Sequence, residues 1–144
     1  MLLSKSSEYA IRLVFLILEN ENQFIRLKNA AETLQIPYYQ LAKVANILMR
    51  KKILISRTGP HGGVKTDFDP ADTTLHQVVQ PFETGNIFDR CILGLSVCDS
   101  ENPCPIHDYW KDTKQEIVNL FTTTSIRELF AGNSSAAIET RLFK

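Results

Sequence analysis

Three features of the 144-residue sequence predict a mainly α-helical fold with a small β-hairpin. Two short amphipathic helices stand in tandem, two short strand candidates surround a Gly/Pro turn directly after them, and one long amphipathic helix follows late in the chain. A chain of this length has room for one compact domain and perhaps one appended element. Apolar residues make up 44% and charged residues 22%, a balance that supports a packed core rather than wholesale disorder.

Residues 4–20 carry Tyr9, Ala10, Leu13, Leu16 and Ile17 at helical spacing and predict the first helix. After a polar break, Phe24 to Leu27 read as a small strand. Residues 28–35 predict a second helix with Ala30, Ala31 and Leu34 inward. Ile36-Pro37 then turns the chain, with Pro37 expected at the first position of a third helix running to about Lys51. Its buried stripe is Leu41, Val44, Ala45 and Leu48, at i, i+3, i+4 and i+7.

Ile53–Arg57 and Val64–Asp67 flank Thr58-Gly-Pro-His-Gly-Gly63 and predict a hairpin. A helix-turn-helix followed at once by a hairpin is a winged helix; the order of the elements carries this inference. Residues 72–80 predict a short helix opened by Asp72 or Thr73 and stopped by Pro81. From Phe82 to Pro105 the chain reads as irregular. A long helix from His107 to Thr122 places Trp110, Ile117, Val118 and Phe121 on one side, and Ser125-Ile-Arg-Glu128 is a capping box for a last short helix.

The expected organisation is therefore a winged helix-turn-helix head at 1–80, a cysteine-containing loop at 81–106, a dimerisation helix with a short terminal helix at 107–131, and a mobile tail at 132–144. Packing of the long helix against its copy would make a two-fold homodimer, suited to palindromic DNA. Periodicity alone allows equally that the stripe folds back on its own head.

The formal net charge is zero, but the charge is divided. Residues 1–65 hold ten Lys and Arg against four Glu, and the remainder six against twelve acids, giving +6 and −6. A basic front half points to a polyanion on that part only. Tyr38, Tyr39, Gln40 and Lys43 face outward near the start of the third helix, the end that enters the major groove in helix-turn-helix proteins. Arg57 and His61 lie on or beside the wing. Arg26 and Lys28, with the run Arg50-Lys51-Lys52, are phosphate candidates. Double-stranded DNA is thus the expected partner.

Leu13–Leu18 is apolar, but charges at Glu8, Arg12, Glu19 and Glu21 surround it, and no run approaches membrane-spanning length. A cytoplasmic chain without a membrane partner is expected, where thiols stay reduced. Cys91, Cys98 and Cys104 are odd in number, so a disulfide framework cannot use them all. Six residues separate the first pair and five the second, and His107 follows Cys104 after two more. No Cys-x-x-Cys knuckle is present, which suits an iron–sulfur cluster better than structural zinc. Spacing leaves cluster, zinc and unligated thiols all open. Cys104 and His107 stand too close in sequence to suggest a catalytic cleft, and with no phosphate loop or nucleophile motif an enzyme is not expected.

Tyr9-Ala-Ile-Arg12, Gly59-Pro-His-Gly-Gly63 and Arg90-Cys91 through Cys98 to Cys104-Pro-Ile-His107-Asp-Tyr-Trp110 together carry a resemblance. The chain resembles the Rrf family of bacterial winged-helix iron–sulfur regulators, over about residues 3–130. The resemblance implies a winged helix with a long dimer helix, and a cluster on Cys91, Cys98 and Cys104. His107 falls at the fourth-ligand position of the members that regulate cluster assembly, which favours [2Fe–2S] over [4Fe–4S]; Glu8 falls where other members supply a carboxylate from the opposite subunit. It implies a regulator, with repression the first expectation, whose operator affinity responds to redox state, nitric oxide or cluster supply. The alternative is a winged helix with structural zinc or an empty Cys/His set, acting as a non-sensing interaction module.

Four departures from the family pattern stand out, the first being a Cys91–Cys98 gap one residue longer than in the members that regulate cluster assembly. Arg57 sits one residue before the place of the family's wing arginine, which here is Thr58, and on a strand that shift changes the face. Gln40 and Ala42 replace a Tyr and a Glu on the reading helix, so the operator is not carried over. Lys52 replaces a turn glycine.

Overall fold

The computed structural model describes residues 3–85 and 87–131. Among these residues six α-helices and one hairpin are formed: α1 (Lys5–Glu19), α2 (Leu27–Leu34), α3 (Tyr38–Arg50), β1 (Leu54–Arg57), β2 (Gly63–Thr66), α4 (Leu75–Val79), α5 (His107–Thr123) and α6 (Ile126–Ala131). The tail expected to be mobile, 132–144, lies outside the described residues.

Helix α1 starts on Ser4, whose Oγ accepts from the Ser7 N–H at 3.2 Å. It is the central element, packed on α3, α4 and β2. Its inward face is Ser7, Ala10, Leu13, Val14 and Ile17. Tyr9 and Leu16, which share the helical spacing, are half-buried, and Val14 is buried. Leu13, Ile17, Leu34, Leu41 and Leu48 are wholly buried in one cluster, each worth about 1.5–3 kcal/mol over its exposed state.

Helix α2 ends on Gln35, which takes the left-handed conformation at φ 54°. Pro37 is the N-cap of α3 and not its first residue. Its ψ of 130° is extended, while its carbonyl already accepts from the Gln40 and Leu41 N–H groups at 3.0 and 3.1 Å. All four expected stripe residues of α3 are buried.

The strands pair antiparallel with Leu54 opposite Thr66 and Arg57 opposite Gly63. The strand expected at Phe24–Leu27 shrinks to a single bridge between Ile25 and Val64, because Leu27 already begins α2. At Gly63, φ is 141° and an added Cβ would collide with the Ile25 carbonyl, so this bridge requires glycine.

Helix α4 is capped by Thr74 with a reciprocal Gln77 bond, later than the expected Asp72 or Thr73. Thr73 is otherwise engaged: it is buried, and its carbonyl accepts from the Ile126 N–H at 2.8 Å. Pro81 does not stop the chain's coiling either, since it lies within a 3-10 turn over Gln80–Phe82. Among its described residues the segment from there to Pro105 is irregular as expected, apart from a 3-10 turn at Ile87–Asp89. The capping box before α6 forms in both directions, Glu128 N–H to Ser125 Oγ at 3.1 Å and Ser125 N–H to Glu128 Oε2 at 2.8 Å.

The stripe of α5 divides. Phe121 is buried edge-on against Phe88, ring centres 5.8 Å apart. Trp110, Ile117 and Val118 are half-buried, while Tyr109 is 84% and Leu120 45% exposed. One end of the helix folds back on its own head, and the rest keeps apolar surface available. No helix among the described residues is long and apolar enough to cross a membrane.

Candidate DNA-reading surface and cysteine site

Tyr38, Tyr39 and Lys43 are exposed at the N-terminal end of α3, opposite the buried stripe. Gln40 Nε2 donates to the Tyr39 hydroxyl at 2.9 Å, which joins two expected readers into one group. Lys28 is exposed on α2, and His61 at the wing tip.

Arg26 and Arg57 are used differently from the expectation. Arg26 donates to the Gly59 and Pro60 carbonyls at 3.3 and 3.0 Å. Arg57 donates to the His61 carbonyl at 2.8 Å, and its guanidinium lies 4.1 Å from the centre of the Phe24 ring. The Lys65 ammonium stands 5.2 Å from the same ring. Both arginines therefore brace the wing from within the chain. Phe24 was not singled out from the sequence; its signal was an aromatic residue beside a basic hairpin.

The cysteine loop leaves α4 and returns at α5. Its entrance is fixed by Glu83, whose side chain is only 3% exposed. Glu83 Oε1 accepts from the Ser4 N–H at 2.8 Å and the Ser7 hydroxyl at 2.5 Å, and Oε2 faces Arg90 at 3.7 Å. Arg90 also donates to the Thr84 carbonyl at 2.9 Å. Burial pushes the Glu83 carboxyl up, but Ser7, Ser4 and Arg90 prevail and hold it below the usual glutamate range. Sequence reasoning missed this residue, whose only sign is that it is the sole carboxylate between Asp72 and Asp89.

The Cys98 N–H bonds back to the Asp89 carbonyl at 2.9 Å, and the His107 N–H bonds to that of Cys104 at 3.0 Å. These closures bring the four expected donors into two pairs. Cys91 Sγ lies 3.8 Å from Cys104 Sγ, and Cys98 Sγ lies 3.5 Å from His107 Nδ1. All three thiols are free, and Cys91 is buried. The Leu93 backbone N–H lowers the Cys91 thiol pKa against partial desolvation, helped by Cys104, the Leu95 backbone and the Lys114 charge.

Two thiolates about 2.3 Å from one tetrahedral metal lie about 3.8 Å apart, and a thiolate with an imidazole nitrogen about 3.6 Å apart. Both observed pairs thus match one tetrahedral edge. Among the described residues, no three His, Cys, Asp or Glu side chains converge on a single metal ion. Glu8 lies on the first turn of α1, where Lys5 engages it at 3.0 Å.

A family model described as Rrf2, iron-dependent transcriptional regulator, matches residues 3–132. The chain belongs to the Rrf2 family. This Rrf2 chain is 27% identical over 131 residues to an HTH-type transcriptional regulator of Aquifex aeolicus, covering 90% of this chain and 91% of that one. It is 26% identical over 90 residues to the regulator NsrR of Oceanobacillus iheyensis, 62% of this chain and 61% of that protein. Its fold is similar to CymR, the global cysteine regulator of B. subtilis, with TM-score 0.73, 16% identity, and 92% and 98% of the two chains covered. It is similar too to T. potens IscR, with TM-score 0.67, 16% identity, and 93% and 89% covered. At such identities these structures speak for the winged-helix fold. The family and its named members are DNA-binding transcriptional regulators, not enzymes.

Proposed function

We propose that this Rrf2 regulator binds a palindromic operator as a homodimer, with an affinity set by an iron–sulfur cluster on Cys91, Cys98, Cys104 and His107. The observation that carries the reading is the pairing of the donors, Cys91 with Cys104 at 3.8 Å and Cys98 with His107 at 3.5 Å. A [2Fe–2S] cluster takes two protein ligands on each iron, whereas each iron of a [4Fe–4S] cluster takes one, so paired donors favour the former. His107 is preferred to Glu8 as fourth ligand, because Glu8 is bonded to Lys5. When bound, such a cluster supplies a centre that oxygen, peroxide or nitric oxide attacks.

The chain's own residues supply the link to DNA. The loop is tied at its entrance through Arg90 and Glu83 to the first turn of α1, and at its exit it runs directly into α5. Helix α1 in turn packs on α3 and β2, the reading helix and the wing. The exposed Tyr109 and Leu120 of α5 supply apolar surface for a second copy. Ordering of the loop thereby biases the distance between two reading heads, which must match the half-site spacing. Tyr38, Tyr39, Gln40 and Lys43 read the major groove, His61 approaches from the wing, and Lys28 engages phosphate. The protein acts in the cytoplasm, where a thiol-held cluster survives.

Anaerobic purification with iron and sulfide counts tests this. About two irons and two sulfides per chain are expected, with visible absorption lost on exposure to air or nitric oxide. A colourless chain loaded with zinc, or one without metal, overturns the reading in favour of a non-sensing winged helix.

A further inference from the structure

Trp110 is the only tryptophan of the chain, and its Nε1 is buried with no hydrogen-bond partner among the described residues. An indole N–H is a donor only, so the group that would satisfy it is an acceptor. A buried donor left without one is rare in folded chains. Trp110 lies three residues after His107 and four before Lys114 on α5, which places the three on one face of the helix. On that face, one turn before Trp110, His107 Nδ1 stands 3.5 Å from Cys98 Sγ.

We infer that the indole N–H of Trp110 donates a hydrogen bond to a sulfur of the cysteine site when that site holds its cluster, making Trp110 a positioning and tuning residue. The inference rests on the cluster reading given above. Thiolates and bridging sulfides are acceptors, and hydrogen bonds to them stabilise the more negative, reduced state and raise the reduction potential. Such a bond satisfies the buried indole donor.

The test compares the intact protein with Trp110→Phe and Trp110→His, each reconstituted with iron and sulfide without oxygen. The expected result is the same iron and sulfide count in all three, a more negative potential for Trp110→Phe, and partial recovery in Trp110→His, whose ring keeps an N–H. In the wild type, tryptophan emission should fall on loading, and the ultraviolet Raman band of the indole N–H should move to its hydrogen-bonded position. That second readout needs no variant and stands if Trp110→Phe fails to fold. A loaded wild type with an unmoved indole band overturns the Trp110 assignment alone, as does a Trp110→Phe potential equal to the wild type's. A wild type that takes up no iron overturns the cluster reading and this inference with it.

Discussion

Glu83 accepts a hydrogen bond from the Ser7 hydroxyl across 76 positions of sequence, and so joins the cysteine loop to the first turn of α1. With the Ser4 N–H and Arg90 it forms a nearly closed network around one carboxylate. A charge that is buried and hydrogen-bonded in this way is costly to leave half-paired.

Glu83→Gln should therefore lower stability by about 1–3 kcal/mol, read as a smaller urea midpoint at unchanged slope. The same variant should narrow the difference in operator affinity between loaded and metal-free protein. An unchanged midpoint would show that the network carries no stability.

The same carboxylate sets an acid limit. Its folded pKa lies below the ordinary glutamate value, so its contribution is fully present above about pH 4.3 and is lost as pH falls through the folded value. The groups facing it are Ser4, Ser7 and Arg90. Urea midpoints of wild type and Glu83→Gln should converge in acid, as pH falls from the ordinary glutamate value through the lowered one of the folded chain. Parallel curves down to pH 2.5 would assign the acid sensitivity elsewhere.

On the wing, Arg57 and Phe24 should act as one unit. Arg57→Ala and Phe24→Leu should each weaken operator binding, and the double variant should fall short of their sum by about 0.5–1 kcal/mol. Because Arg57 is held to the His61 carbonyl, its loss should leave the salt dependence of binding nearly unchanged. Lys28→Ala, in contrast, should reduce the log–log salt slope by about one. A comparable drop in Arg57→Ala would make that arginine a phosphate contact.

Lys52 follows α3 with φ 59°, a conformation that disfavours side chains with a Cβ. Lys52→Gly should raise stability by about 1 kcal/mol, measured as a higher melting temperature. A lower melting temperature would mean that the lysine side chain contributes packing that offsets the strain.

The core of the head was legible because it is local and periodic. Leu41, Val44, Ala45 and Leu48 repeat on one helical face, and all four are buried. What was misread are decisions made by distant partners. Phe24–Leu27 has strand composition, but only Ile25 meets Val64 before α2 begins. Thr73 is a plausible cap until Ile126, over fifty residues later, binds its carbonyl. Glu83 gives no periodic signal because its partners belong to α1 and to the loop beyond it. Cys91, Cys98, Cys104 and His107 could be singled out as candidates from residue type and resemblance, whereas their pairing, Cys91 with Cys104 and Cys98 with His107, required the fold.

The central claim is that the thiol loop governs DNA affinity. It is tested most directly by titrating an operator selected from random duplex DNA with loaded protein, metal-stripped protein and the Cys91→Ser, Cys98→Ser, Cys104→Ser triple variant. The account predicts at least about a tenfold change in Kd between loaded and stripped protein, roughly 1.4 kcal/mol, with the triple variant matching the stripped form. Equal Kd values for all three would contradict it.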